Sequence, residues 1–280
     1  MHKIFSKSQL YTQALLESLR SAPLLVDDLP EAVCFDRGRF FREVQSHLPV
    51  KIPELNYSQK LGHLYEDALA HVLSESSELD LIGQSVQIFD DDKITIGELD
   101  FILKDLVSEE FIHLEIAVKF YLIDYEEGVP YYPGPDPRDN WLNKLERMRE
   151  HQLQLVKLDY TKRCLLEKYG VDEVVTKHLI YGKLFDHYKS DEKPCPPAMH
   201  ADCLRGAWMY LHEWEKESVA EQVIVVPKCL WPVAVENLLG KLDVVSRGDF
   251  VEEVTQRCVM IWDDERQITL FVTPNTWMKS

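Results

Sequence analysis

Phe111-Ile112-His113-Leu114-Glu115-Ile116-Ala117-Val118-Lys119-Phe120-Tyr121-Leu122 is the most regular stretch of this 280-residue chain. Side chains alternate across a strand, so Ile112, Leu114, Ile116, Val118, Phe120 and Leu122 fall on one face. His113, Glu115, Ala117, Lys119 and Tyr121 fall on the other. One face suits a core, while the opposite face carries an acid and an amine.

The flanks extend this strand into a sheet. Ser108-Glu109-Glu110 reads as a hairpin turn back to a β-branched run, Thr95–Leu103, interrupted at Gly97. Asp90-Asp91-Asp92 turns that run back to a weaker strand, Gln84–Asp90. Before it, residues 57–74 place Leu61, Leu64, Tyr65, Ala68, Leu69, Val72 and Leu73 at helical spacing, with Ser58 as the expected N-cap. Glu66 lies on the border of that apolar stripe, four residues after Gly62.

Beyond the long strand, Pro130-Tyr131-Tyr132-Pro133-Gly134-Pro135-Asp136-Pro137 can be neither helix nor central strand. Asp139 is the expected N-cap of a helix to about Lys157, and a shorter helix ends at Gly170. An apolar run follows at Lys177–His187. The remainder reads as a helix near 203–217, a strand at 222–227, short helices, and a hairpin of 257–262 with 267–273. The first fifty residues predict one or two helices, the clearest at 8–20. The expected organisation is therefore an N-terminal helical and loop segment (1–56), an α/β core of order α-β-β-β-α-β (57–190) and an appended C-terminal α/β portion (191–280).

Composition limits the function. The net charge of −17 works against a protein that coats DNA. The charge is uneven, with twelve acids against three lysines between Asp90 and Glu127, and eight basic residues against five acids between Arg138 and Lys168. An acidic centre beside a basic helix suits a cation bridging protein to phosphate. No window approaches the roughly 18 apolar residues of a membrane span. The N-terminus does not read as a signal peptide, and six scattered cysteines fit reduced thiols, so a cytoplasmic location is expected. Cys195, His200, Cys203 and His212 lack a CxxC pair and regular spacing, which argues against zinc.

On this framework Asp100 and Glu115 sit on neighbouring strands, and Lys119 shares the face of Glu115. A helix carrying Glu66 over that face would bring three carboxylates and an amine together. Carboxylates so placed suit Mg²⁺ or Mn²⁺, which lower the pKa of a bound water and polarise a phosphoryl oxygen.

Gly62-His63-Leu64-Tyr65-Glu66, Gly97-Glu98-Leu99-Asp100 and Glu115-Ile116-Ala117-Val118-Lys119, in this order, resemble the PD-(D/E)xK (restriction-endonuclease-like) nuclease superfamily. More closely, the chain resembles a bacterial family of unknown function with a core of that kind. Gly134-Pro135-Asp136-Pro137-Arg138-Asp139, His151-Gln152-Leu153, Tyr181-Gly182-Lys183-Leu184-Phe185, Gly206-Ala207-Trp208 and Val226-Pro227-Lys228-Cys229-Leu230-Trp231 carry that likeness. The resemblance implies Asp100 and Glu115 as metal ligands, Glu66 as an outer or additional ligand, and Lys119 as the catalytic amine. Gln152 follows as an accessory contact, with Glu98 and His113 beside the acids.

One departure is clear. The superfamily places lysine two residues after the acid, where this chain has Ala117. Lys119 lies roughly 13 Å of strand from Glu115 and would have to bend back over Ala117 to take part.

The function expected is a metal-dependent phosphodiesterase that hydrolyses nucleic acid, with Arg138, Lys144, Arg147 and Arg149 as contacts to the phosphate backbone. The alternatives are a non-catalytic nucleic-acid-binding module on the same fold, and a protein-interaction scaffold favoured by the acidic surface.

Overall fold

A computed structural model of the chain describes residues 5–41 and 52–279. Residues 42–51, part of the expected N-terminal segment, lie outside the described residues. In chain order come α1 (Lys7–Ser21), β1 (Val33–Cys34), α2 (Arg37–Phe40), α3 (Leu61–Ser74), β2 (Leu79–Phe89), β3 (Thr95–Asp105), β4 (Phe111–Glu126) and β5 (Val129–Tyr131). Then follow α4 (Trp141–Glu150), a 3₁₀ turn (Gln152–Lys157), α5 (Asp159–Tyr169), β6 (Val175–His187), β7 (Arg205–Tyr210), α6 (Leu211–Glu217) and β8 (Gln222–Val225). The chain closes with β9 (Asp243–Ser246), α7 (Arg247–Gln256), β10 (Val259–Asp263) and β11 (Ile268–Thr273). It is a mixed α/β protein, and its strands pair both parallel and antiparallel. None of its helices is long and apolar enough to cross a membrane among the described residues.

The chain divides into two compact units. One takes Met1–Ala22, Val26–Val118 and Leu145–Tyr181; the other takes Pro23–Leu25, Lys119–Lys144 and Gly182–Ser280. β4 and β6 each contribute residues to both.

In the first unit β2 pairs antiparallel with β3 (Val86 opposite Leu99), and β3 with β4 (Phe101 opposite Leu114). The Asp90 carboxylate closes the first turn by accepting from the Asp92 and Ile94 amides, while Lys93 takes a positive φ. α3 buries the stripe that its spacing predicts, Leu64, Tyr65, Ala68, Leu69, Val72 and Leu73. Its N-cap is Lys60 without a side-chain bond, not Ser58, whose hydroxyl turns to Asn56 instead. α1 starts in a capping box of Ser6 and Gln9, and α5 ends where expected, at Gly170 in the left-handed conformation. Val86, Ile88, Leu99, Ile102, Leu155, Val156, Leu165 and Val171 form a buried cluster that joins the 3₁₀ turn and α5 to the strands.

The second unit holds three parallel strands, β6, β7 and β11, extended antiparallel by β10, β8 and β9. Pro130 falls in the short β5, which pairs with the end of β4. The expected helix at 203–217 is a strand for its first half: Arg205–Tyr210 forms β7, and only Leu211–Glu217 is helical. β7 is paired on both sides, and its run Gly206-Ala207-Trp208-Met209 carries no polar residue to mark an alternation. Trp208, Trp214 and Trp231 are core residues here, and Trp208 Nε1 donates to the Ile123 carbonyl at 2.8 Å.

Candidate functional site

Two hydrogen bonds tie candidate residues to one another where β3, β4 and the 3₁₀ turn come together. The β3–β4 register runs out through Phe101 and Leu114, and one step further the Ile116 amide donates to Asp100 Oδ2 at 2.8 Å. Asp100 is thereby fixed against the backbone beside Glu115. Glu115 is only 2% exposed, and its Oε1 accepts from Gln152 Nε2 at 2.5 Å. A buried carboxylate is stable only when hydrogen-bonded or paired, so Gln152 compensates part of the desolvation of Glu115.

Gln152 reaches this place because the 3₁₀ turn anchors through buried Leu153, Leu155 and Val156. A β-carbon at Gly97 would stand 2.7 Å from Leu155 Cδ2, so the glycine of Gly97-Glu98-Leu99-Asp100 admits the turn that carries Gln152. Gly97→Ala should therefore displace Leu155 and lower stability by about 1–2 kcal/mol, the typical effect of overpacking a core. Melting curves would read it, and an unchanged melting temperature would show that the turn tolerates the methyl group.

His113 lies two residues before Glu115 and is fully buried. Its Nε2 stands 3.7 Å from Glu115 Oε2, and neither ring nitrogen has a hydrogen-bond partner among the described residues. Burial pushes its pKa down to about 4. His178, also buried, is pushed down to about 4 by the same cause, opposed by the charge of Asp28.

Both imidazoles are neutral in the fold, yet each gains a proton near pH 6.5 once unfolded. The unfolded chain binds more protons between about pH 6.5 and 4, so stability is full above that window and falls as pH drops through it. Each histidine contributes on the order of 3 kcal/mol to this loss. Thermal melts from neutral pH down to 4 would show it, and a flat profile would mean that the rings are not held neutral.

Each of the other expected site residues has partners or surroundings of its own. Glu66 Oε2 pairs with His63 Nδ1 at 3.2 Å. Glu98 is partly buried on β3. Lys119 does not bend back over Ala117: its ammonium donates to Asp139 Oδ2 at 2.8 Å, captured by a nearby opposite charge. Tyr121 donates to Asp139 Oδ1 at 3.5 Å, and burial together with that charge pushes the phenol up. Asp139 is thus not the helix cap expected of it. The cap passes to Asn140, whose Oδ1 accepts from the Leu142 amide, and the expected single helix to Lys157 breaks after Glu150 into the 3₁₀ turn.

Among the backbone-contact candidates, Arg149 is clasped in three hydrogen bonds by Glu31, and Arg138 by Asp136. Arg147 is exposed and makes no ion pair among the described residues, and Lys144 is half-buried.

Among the described residues no three His, Cys, Asp or Glu side chains are grouped to hold a metal ion, so Asp100, Glu115 and Glu66 do not form a cage. Asp100 and Glu115, on β3 and β4 just past the paired Phe101 and Leu114, would be the two carboxylates left to hold a hard divalent cation. Mg²⁺ is held by one or two carboxylates and leaves its other positions to water and substrate phosphate.

Three features escape the sequence reading. Asp139 holds Lys119. Lys183 is buried, pushed down to about 8 by burial, and donates to the Val233 carbonyl at 2.9 Å. Cys34 Sγ lies 4.0 Å from His178 Nε2, and burial raises its thiol to about 12, which leaves it protonated and unreactive. Only Lys183 carried a signal, through Tyr181-Gly182-Lys183.

A family model described as a domain of unknown function (DUF1853) matches residues 40–252. No curated protein and no solved structure matches the chain.

Proposed function

The chain belongs to the DUF1853 family, and from its own residues we propose that it is a metal-dependent phosphodiesterase acting on nucleic acid. The observation that carries this reading is the Asp100–Glu115 pair, locked by the Ile116 amide and by Gln152. The order α3, β2, β3, β4, α4 with α5, and β6 supports a PD-(D/E)xK core around that pair. Asp100 and Glu115 would hold Mg²⁺ or Mn²⁺, which supplies a polarised phosphoryl oxygen and an acidic bound water. Gln152 orients Glu115 by holding one oxygen, and Asp100 is oriented by the Ile116 amide. Arg147 is the cation best placed to meet a phosphate, since it is exposed and unpaired. The free cysteines support a cytoplasmic setting.

A second reading has its own support. Lys119 is engaged with Asp139, and Ala117 stands where the superfamily has lysine. A binding module that keeps the nuclease core without turnover fits that arrangement.

Incubation of DNA and RNA with wild type in Mg²⁺ or Mn²⁺, beside chelated and Asp100→Asn controls, separates the two readings. Metal-dependent cleavage that both controls abolish supports the phosphodiesterase. Binding without cleavage, with gain of cleavage in Ala117→Lys, supports the module. In either case Arg147→Gln should weaken binding and lower its salt slope by about one unit. An unchanged slope would move the phosphate contact to another surface.

A further inference from the structure

A groove of about 590 Å³ opens beyond the carboxyl end of β11, with walls drawn from residues 135–138, 255–258 and 274–277. Every one of these segments belongs to the second unit. One carbonyl ties them together: Pro135 O accepts from Cys258 Sγ at 3.2 Å and from Trp277 Nε1 at 3.1 Å. β10 starts at Val259, opposite Val272 of β11, which brings the chain before it to the same end of the sheet. β11 is parallel to β7, and loops beyond the carboxyl ends of parallel strands are where open α/β sheets take their ligands.

The volume suits a ligand of nucleotide size, and the walls divide by chemistry. The prolines and Trp277 give apolar surface. Arg138 and Arg257 give two guanidiniums, against Asp136 as the one carboxylate of the lining. In a chain of net charge −17 that positive balance is local. Each guanidinium is held on one side and open on the other. Arg138 grips Asp136 through Nε and Nη2, and Arg257 donates to Glu253 through Nη2. Arg138 Nη1, and Nε and Nη1 of Arg257, donate to none of the described residues. The two side chains are 87% and 65% exposed, and ion pairs so exposed yield to a competing anion at little cost.

We propose that this groove binds a phosphate monoester, with Arg138 and Arg257 on the phosphate and the organic body along the proline and tryptophan wall. A monoester carries close to two negative charges at neutral pH, which two guanidiniums match; a diester carries one. Inorganic phosphate meets the charges but leaves most of the volume unfilled. The same group occurs on a free nucleotide and on the phosphorylated end of a nucleic-acid strand.

The test is calorimetric titration of the full-length protein with inorganic phosphate, AMP, and short oligonucleotides with and without a 5′-phosphate. Chelator and fixed ionic strength keep cations from Asp100 and Glu115, so failure here leaves the phosphodiesterase reading standing. AMP should bind more tightly than inorganic phosphate; equal affinities would deny the wall a role and overturn the proposal. Arg138→Gln and Arg257→Gln should each weaken AMP about tenfold, the worth of a hydrogen bond between charged groups. Asp136→Asn should tighten it, by freeing Arg138 of its competitor. Arg163→Gln, an equal loss of charge in the first unit, should change nothing, and a matching loss there would mean diffuse attraction instead of a site. Thermal melts of each variant check that the fold is kept. A 5′-phosphorylated strand that binds through the same two arginines makes the ligand a strand end, and AMP alone makes it a free nucleotide. Equal binding of the 5′-hydroxyl strand, lost in the same variants, would overturn the monoester in favour of a diester backbone. No saturable binding of AMP or phosphorylated strand, or binding that neither arginine change weakens, would overturn the site itself.

Discussion

Asp100→Asn is expected to leave the protein folded and to abolish its response to divalent metal. The amide has nearly the shape of the carboxylate and keeps an oxygen to accept from the Ile116 amide, so the β3–β4 register should survive. The change removes one of two adjacent negative charges, whose repulsion disfavours the metal-free fold, so the melting temperature without metal should hold or rise. With metal the two proteins part. A ligand at 100 times its dissociation constant stabilises wild type by about 2.7 kcal/mol, and the variant should gain almost nothing. Calorimetric melts with and without Mn²⁺ make the comparison. Equal stabilisation of both proteins would place the cation away from Asp100.

Gly182→Ala should be severely damaging for so small a substitution. Gly182 has φ of +150°, a conformation that side chains rarely adopt, and a β-carbon there would stand 1.7 Å from the Lys119 carbonyl oxygen. Nothing at the end of a flexible side chain can move aside, because the obstacle is backbone of β4. Strain and forced separation together should destabilise the protein by about 3–5 kcal/mol, enough to unfold a marginal domain. Urea denaturation or soluble yield would measure it, and a loss below about 1 kcal/mol would deny the close approach. The glycine of Tyr181-Gly182-Lys183 thus has a steric reason to be there, and the backbone it admits belongs to the residue whose amine is bound to Asp139.

What the sequence made legible follows from how local each signal is. The α3 stripe, the turn at Asp90-Asp91-Asp92, Gly170 and the closing hairpin depend on neighbours within a few residues, and each lies where periodicity or turn chemistry put it. Asp100 beside Glu115 was legible for the same reason, since a short turn between two strands fixes their register. β7 was not, because Ala207, Trp208 and Met209 carry no alternation and their strand is specified by β6 and β11, distant in sequence. The capture of Lys119 depends on Asp139, twenty residues on, across a proline-rich loop whose path no local rule gives. Gln152 was reached only through family likeness; its contact depends on a 3₁₀ turn that reads in sequence as continuous helix. The burial of His113 is a tertiary property, since alternation gives its face and not what covers that face.

The central claim is that Asp100 and Glu115 hold one divalent cation. Crystals grown in Mn²⁺ and measured for anomalous scattering at the manganese edge test it directly. The account predicts a single strong peak bound by one oxygen of Asp100 and one of Glu115, at about 2.1 Å from each. Ordered Asp100 and Glu115 side chains with no peak between them, in crystals that bind manganese elsewhere or not at all, would contradict it.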